Sequence, residues 1–134
     1  MLYLVTQSVL SHQTHSLKLD HHDEIILEVA DTDAKRQQGL MFREKLSQNA
    51  GMLLLFDKSY PWGIWMKNMH FPIDIIWLNA KKQVVDFKDS VPPCPRQEIN
   101  CPSYVPKDAA IAVIELQAGQ RKNLEIKLGQ VLKY

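Results

Sequence analysis

Gly51–Phe56 (Gly-Met-Leu-Leu-Leu-Phe) and Ile73–Leu78 (Ile-Asp-Ile-Ile-Trp-Leu) are short apolar runs bounded by turn residues. Runs of this length suit strands buried on both faces. Other runs keep the same spacing. Ile25–Ala30, Gln83–Phe87 and Ala109–Leu116 read as strands from their β-branched and apolar content. Trp62–Asn68 reads as a further strand, with Met69–Pro72 as a corner, because Pro72 cannot donate to a ladder. Glu125–Leu128 and Gln130–Tyr134 are expected to close the sheet around Gly129. Asp31 and Thr32 are N-cap candidates for a helix over Asp33–Gly39, and Gln120–Asn123 suits one helical turn. About seven short strands with close turns predict a mostly β fold. The expected form is a compact antiparallel barrel or sandwich with one short helix, rather than βαβ units.

The chain of 134 residues suits one domain, expected over residues 24–134 after a flexible segment 1–23. Met1–Leu10 is fairly apolar but lacks a basic flank, so it reads as a leader remnant or a loose start. His12, His15, His21 and His22 fall in a polar stretch that reads as a mobile arm rather than a metal site. The net charge of +1, from 16 basic and 15 acidic residues, gives no case for a nucleic-acid partner. No run reaches the ~20 apolar residues of a membrane span. No cofactor or metal is implied, and a monomer is expected.

Trp62–Leu78 holds all three tryptophans and sets Lys67, Asn68, His70 and Asp74 among apolar neighbours. A buried polar group without a partner costs about 1–3 kcal/mol. Asp74 therefore wants a cation, with Arg43 and Lys67 the candidates, or a place in a structural bridge or turn cap. On one reading it orients Arg43 or Lys67 toward a ligand beside a cavity. Trp65 could stack on a ring, or simply pack. Asn68 fits a corner hydrogen bond, and His70 fits packing. Tyr104 either packs or lines the site. Cys94 and Cys101 flank a proline-rich loop. They can form a disulfide, or Cys94 can serve as a nucleophile; two residues are too few for a zinc site.

Several ordered blocks carry a resemblance: Gly39-Leu40-Met41-Phe42-Arg43, Gly51-Met52-Leu53, Trp65-Met66-Lys67-Asn68, Pro72-Ile73-Asp74-Ile75, Pro93-Cys94, Cys101-Pro102-Ser103-Tyr104 and Glu115-Leu116-Gln117-Ala118-Gly119. Together they resemble the prokaryotic family called domain of unknown function 192, over roughly Ile25–Val131. The resemblance implies a compact, mostly β fold and no particular reaction. Members of that family often carry export leaders, which tilts the expectation toward a periplasmic or exported protein. This chain departs from the usual pattern at Met69-His70-Phe71 and at Lys81-Lys82.

The expected function is a small-molecule or glycan-binding β-domain. Its site would join the Arg43 loop, the Trp65–Asn68 strand and the Cys94–Tyr104 loop, with Arg43, Trp65, Lys67, Asn68, Asp74 and Tyr104 as ligand-binding residues. Two rivals stand beside it. One is a hydrolase-like or thiol enzyme using Cys94 or Asp74; the other is a structural or interaction domain without a site. The sequence lacks a P-loop, a Rossmann glycine pattern, a GxSxG elbow and an HExxH helix.

Overall fold

The computed structural model describes residues 13–134. The leader reading of Met1–Leu10, and His12, lie outside the described residues. In chain order the elements are β1 (Thr14–Leu17), β2 (Ile25–Ala30), α1 (Asp33–Gln38), β3 (Ala50–Tyr60) and β4 (Ile64–Trp65). There follow β5 (Ile73–Leu78), β6 (Val84–Val91), β7 (Ser103–Tyr104), β8 (Ala110–Gln117) and α2 (Gln120–Asn123). Six strands form one sheet in the order β1-β2-β3-β8-β5-β6, and β4 pairs with β7 in a small second sheet. Among the described residues the fold is mostly β and sandwich-like, without closure into a barrel.

One pairing departs from the expected antiparallel pattern: β2 and β3 run parallel. The connection through α1 supplies the crossover that a parallel pair requires. Thr32 caps α1, its hydroxyl accepting from the Lys35 N–H at 3.2 Å. Gly51 lets β3 lie tightly between its neighbours. A Cβ there would come within 2.7 Å of the Glu115 carbonyl oxygen and 2.9 Å of Leu27.

Three further expectations are corrected. Thr14–Leu17, in the segment expected to be mobile, pairs antiparallel with β2 and buries Leu17. The strand expected over Trp62–Asn68 shrinks to Ile64–Trp65, because the chain turns where the Met69 N–H reaches the Met66 carbonyl and Asn68 takes φ +58°. The C-terminal stretch makes only single bridges, Gln83–Val131 and Lys18–Lys133. Positive φ at Glu125 and Gly129 breaks the extended run there.

The sheet is covered on both faces, so alternate residues of its central strands feed two cores. Met52, Leu54, Ile73, Ile75, Trp77 and Val113 face one core, closed by Leu40, Leu46, Ile64, Met66 and Met69. Leu53, Ile76, Leu78, Ile114 and Leu116 face the other, closed by Leu17, Leu124, Ile126 and Leu132. The Trp77 indole N–H donates to the Trp62 carbonyl at 2.8 Å, which satisfies the one polar atom of a fully buried ring.

Candidate functional site

Two carboxyl side chains are buried in the central strands: Asp74 at 1% exposure and Glu115 at 5%. Side chains alternate along a strand. Glu115 stands between Met52 and Ile75 in the register and faces their core. Asp74, one residue from Ile75, faces the other way.

Among the described residues Asp74 is held by backbone alone. Its Oδ1 accepts from the Ser90 N–H at 2.8 Å, and its Oδ2 accepts from the Gly119 N–H at 3.0 Å and the Arg121 N–H at 2.8 Å. The Ser90 donor is delivered by a bulge. Ile73 pairs with Val91 but Ile75 with Lys88, so β6 carries one extra residue opposite Asp74, and Ser90 takes φ +47°. The Gly119 and Arg121 donors come from the entry to α2. Arg121 is itself clamped on Asp89, with Nε at 2.7 Å and Nη2 at 2.6 Å, and lies over the Phe87 ring. That ion pair holds the Asp89 carboxyl below its usual range. Asp74 therefore ties β6 and α2 to β5. The expected pairing with Arg43 or Lys67 does not occur: Arg43 bonds Glu28 at 2.5 Å, and Lys67 lies 5.2 Å above the Trp65 ring.

Glu115 is the opposite case. Its carboxyl has no protein hydrogen-bond partner among the described residues and borders a cavity of about 200 Å³, through which its oxygens keep contact with solvent. The walls are Leu40, Met41, Leu54, Phe56, Ile64, Met69 and Ile73, with Gly39 and Gly63; Arg36, Gln37, Gln38, Trp65 and Lys67 complete the lining. Burial pushes the Glu115 carboxyl up to about 7, and the nearby charge of Arg43 opposes that rise. Gly39, at φ +47° and ψ −127°, lets the chain pass close: a Cβ there would sit 3.9 Å from Oε2. The buried floor and the 41% exposed Trp65 set the direction of entry.

Of the six predicted ligand residues, Trp65 and Lys67 line this cavity. Asn68 and Lys67 line an adjoining open cleft with Phe42, His70, Arg96 and the cystine. The Asn68 carbonyl accepts the Phe42 N–H at 2.9 Å, a corner role. Phe42 is 65% exposed and held at φ +66°. Tyr104 packs against the core in β7, outside both linings. Cys94 and Cys101 form a disulfide with Cα atoms 5.7 Å apart, within bridging range. The prediction missed Glu115. Its signal was present, since a lone acid interrupts the apolar run Ile111–Leu116 just as Asp74 interrupts Ile73–Leu78.

The chain is 32% identical over 108 residues to a UPF0127 protein of Thermococcus gammatolerans, covering 81% of this chain and 65% of that protein. It is 31% identical over 108 residues to the UPF0127 protein TK1120 of Thermococcus kodakarensis, covering 81% and 64%. The chain thus spans just under two thirds of the length of these relatives. A crystal structure of a protein of unknown function from Novosphingobium aromaticivorans superposes with a TM-score of 0.79 at 25% identity, covering 95% of this chain and 89% of that one. A Sinorhizobium meliloti structure, titled as a candidate transcription regulator, gives a TM-score of 0.77 at 25% identity, covering 88% and 89%. The family model described as Uncharacterized ACR, DUF192, matches residues 15–134, and the chain belongs to that family.

Proposed function

We propose that this chain is a small-molecule-binding domain whose ligand enters beside Trp65 and Lys67 and reaches Glu115. The single observation that carries this reading is Glu115 itself: a buried carboxyl with no hydrogen-bond partner among the described residues, beside open space. No fully enclosed side-chain polar atom among the described residues lacks a partner, so the Glu115 oxygens meet solvent in the cavity, where a ligand donor can take the place of water. An apolar wall with few polar groups is the usual make-up of such sites. The cavity is smaller than the roughly 300–1,000 Å³ of drug-sized pockets, so the ligand is the size of one ring or a short chain. The exposed Trp65 ring keeps a glycan terminus within this reading. A DNA-binding role draws no support from a net charge of +1.

A second reading is enzymatic, with Glu115 as general acid or base, because a group titrating near neutral pH is matched to that task. The other enzyme roles lose support. Cys94 in a disulfide has no thiolate to offer, and Asp74 is filled by three backbone donors. The disulfide suits an oxidising compartment and so favours export.

A fragment screen by amide-detected NMR on the full chain tests the binding reading. The expected hits shift the amides of Gly39, Gly63 and Glu115 and the Trp65 indole together. A broad panel at millimolar concentration that leaves all four unmoved overturns it.

A further inference from the structure

We infer that the cavity takes a small bipolar ligand, with an ammonium bound by Glu115, a short apolar middle along the Leu54–Ile73 wall, and an anionic end at Lys67. This rests on the binding reading above and names its ligand class. Arg36 lines the cavity, but its guanidinium is committed to Asp33 at 2.6 Å and to the Leu55 carbonyl at 2.5 Å. Arg43 is committed to Glu28 at 2.5 Å. Glu115 and Lys67 remain as the acid and the base of the lining that no ion pair among the described residues engages, Arg43 acting on Glu115 only as a nearby charge. One is buried and the other exposed, so they mark two ends of one pocket. Between them the lining is leucine, isoleucine, methionine and aromatic rings, which favours methylenes over hydroxyls.

An ammonium entering this floor replaces the proton that burial holds on Glu115. The proton leaves to bulk water, and a charge-assisted N–H to carboxylate bond takes its place. Binding through this end therefore tightens as pH rises toward and past neutrality. The charged groups around Glu115 are Arg36 from α1 and Lys67 after β4, which share its cavity, and Arg43 from the loop after α1, which acts on it while paired with Glu28 of β2.

The experiment is a calorimetric and NMR titration of the full chain with δ-aminovalerate, against valerate, pentylamine and pentanediol, at pH 6 and pH 8. We expect δ-aminovalerate to bind roughly tenfold more tightly than either half-ligand, the value of about one charged contact, and to bind more tightly at pH 8 than at pH 6. Glu115→Gln removes its advantage over valerate, while Lys67→Met removes its advantage over pentylamine. Pentanediol or valerate shifting the cavity amides as strongly as δ-aminovalerate overturns the ligand class and leaves the binding site standing. So does a pH dependence of the opposite sign. If none of the four ligands shifts them while other fragments do, the ligand class again falls alone. Silence from every compound, fragments included, removes the site as well.

Discussion

Asp74 and Glu115 are both buried acids, set in neighbouring strands of one sheet, and they do opposite things. Asp74 is surrounded by three N–H groups that belong to other segments of the chain. Glu115, on the other face, has a cavity where Asp74 has donors. Burial costs each acid its hydration. In one case the fold returns hydrogen bonds, and in the other it leaves the cost standing as a carboxyl raised to about 7. Burial alone therefore does not mark a functional residue; what faces the carboxyl does.

The largest expected effect comes from emptying the satisfied site. Asp74→Ala strands three N–H groups at the meeting of β6, α2 and β5. At about 1–3 kcal/mol for each orphaned donor, the loss should exceed about 3 kcal/mol, much of the stability of an average domain. Urea unfolding measures it. A loss under about 1 kcal/mol would mean that Asp74 is not the tie between those segments.

Glu115→Gln should move stability the other way. The folded carboxyl holds its proton up to about 7, against about 4.3 in an unfolded chain. Between those values the native state binds more protons than the unfolded one, so stability falls as pH rises through this window and levels off above it. Glutamine does not titrate. Wild type and variant should match near pH 4, and the variant should be more stable at pH 8, by about 4 kcal/mol at most. Parallel stability curves from pH 4 to pH 8 would show that Glu115 is not desolvated.

Much of this fold is legible because its strands are short, apolar and closely spaced. Ile73–Leu78 and the Thr32-capped helix need only local pattern to be found. The parallel pairing of β2 with β3 is not legible, since no local residue distinguishes the partner on either side of Leu27 or Leu53. Asp74 stands out in sequence, but its partners do not. Backbone N–H groups carry no residue signature, and two of these lie more than forty positions away. Reasoning from side chains alone therefore assigns Asp74 the visible cations, Arg43 and Lys67. Glu115 is equally visible as an acid in an apolar run. Its role depends on Gly39 leaving room beside it, and a sequence does not display empty space.

A smaller effect should follow from filling that space. Gly39 adopts φ +47° with ψ −127°, a region that side chains avoid, while its nearest neighbours stand at ordinary contact distance, 3.7 and 3.9 Å from a built Cβ. Gly39→Ala should cost about 1–3 kcal/mol through backbone strain rather than collision. The added methyl also shields Oε2 from water, so the Glu115 titration should shift upward. An unchanged titration would place the methyl away from the carboxyl.

The smallest effect tests how Arg43 reaches the site it was expected to bind from. Its guanidinium is spent on Glu28, in a pair exposed enough that its loss should cost under about 1 kcal/mol. Yet its positive charge still opposes the desolvation of Glu115. Arg43→Met should therefore leave the melting curve nearly in place while raising the Glu115 midpoint above about 7. Carbon-detected NMR of the labelled side-chain carboxyl reads that midpoint directly, and Glu28→Gln supplies the control. Removing the acid frees the arginine's charge to act on Glu115 alone, and should lower the midpoint. Movement in opposite directions makes Arg43 an electrostatic neighbour of the cavity, not one of its walls. If both variants leave the midpoint where it was, the Arg43–Glu28 pair is screened from the carboxyl, and burial alone accounts for the difference between Glu115 and Asp74.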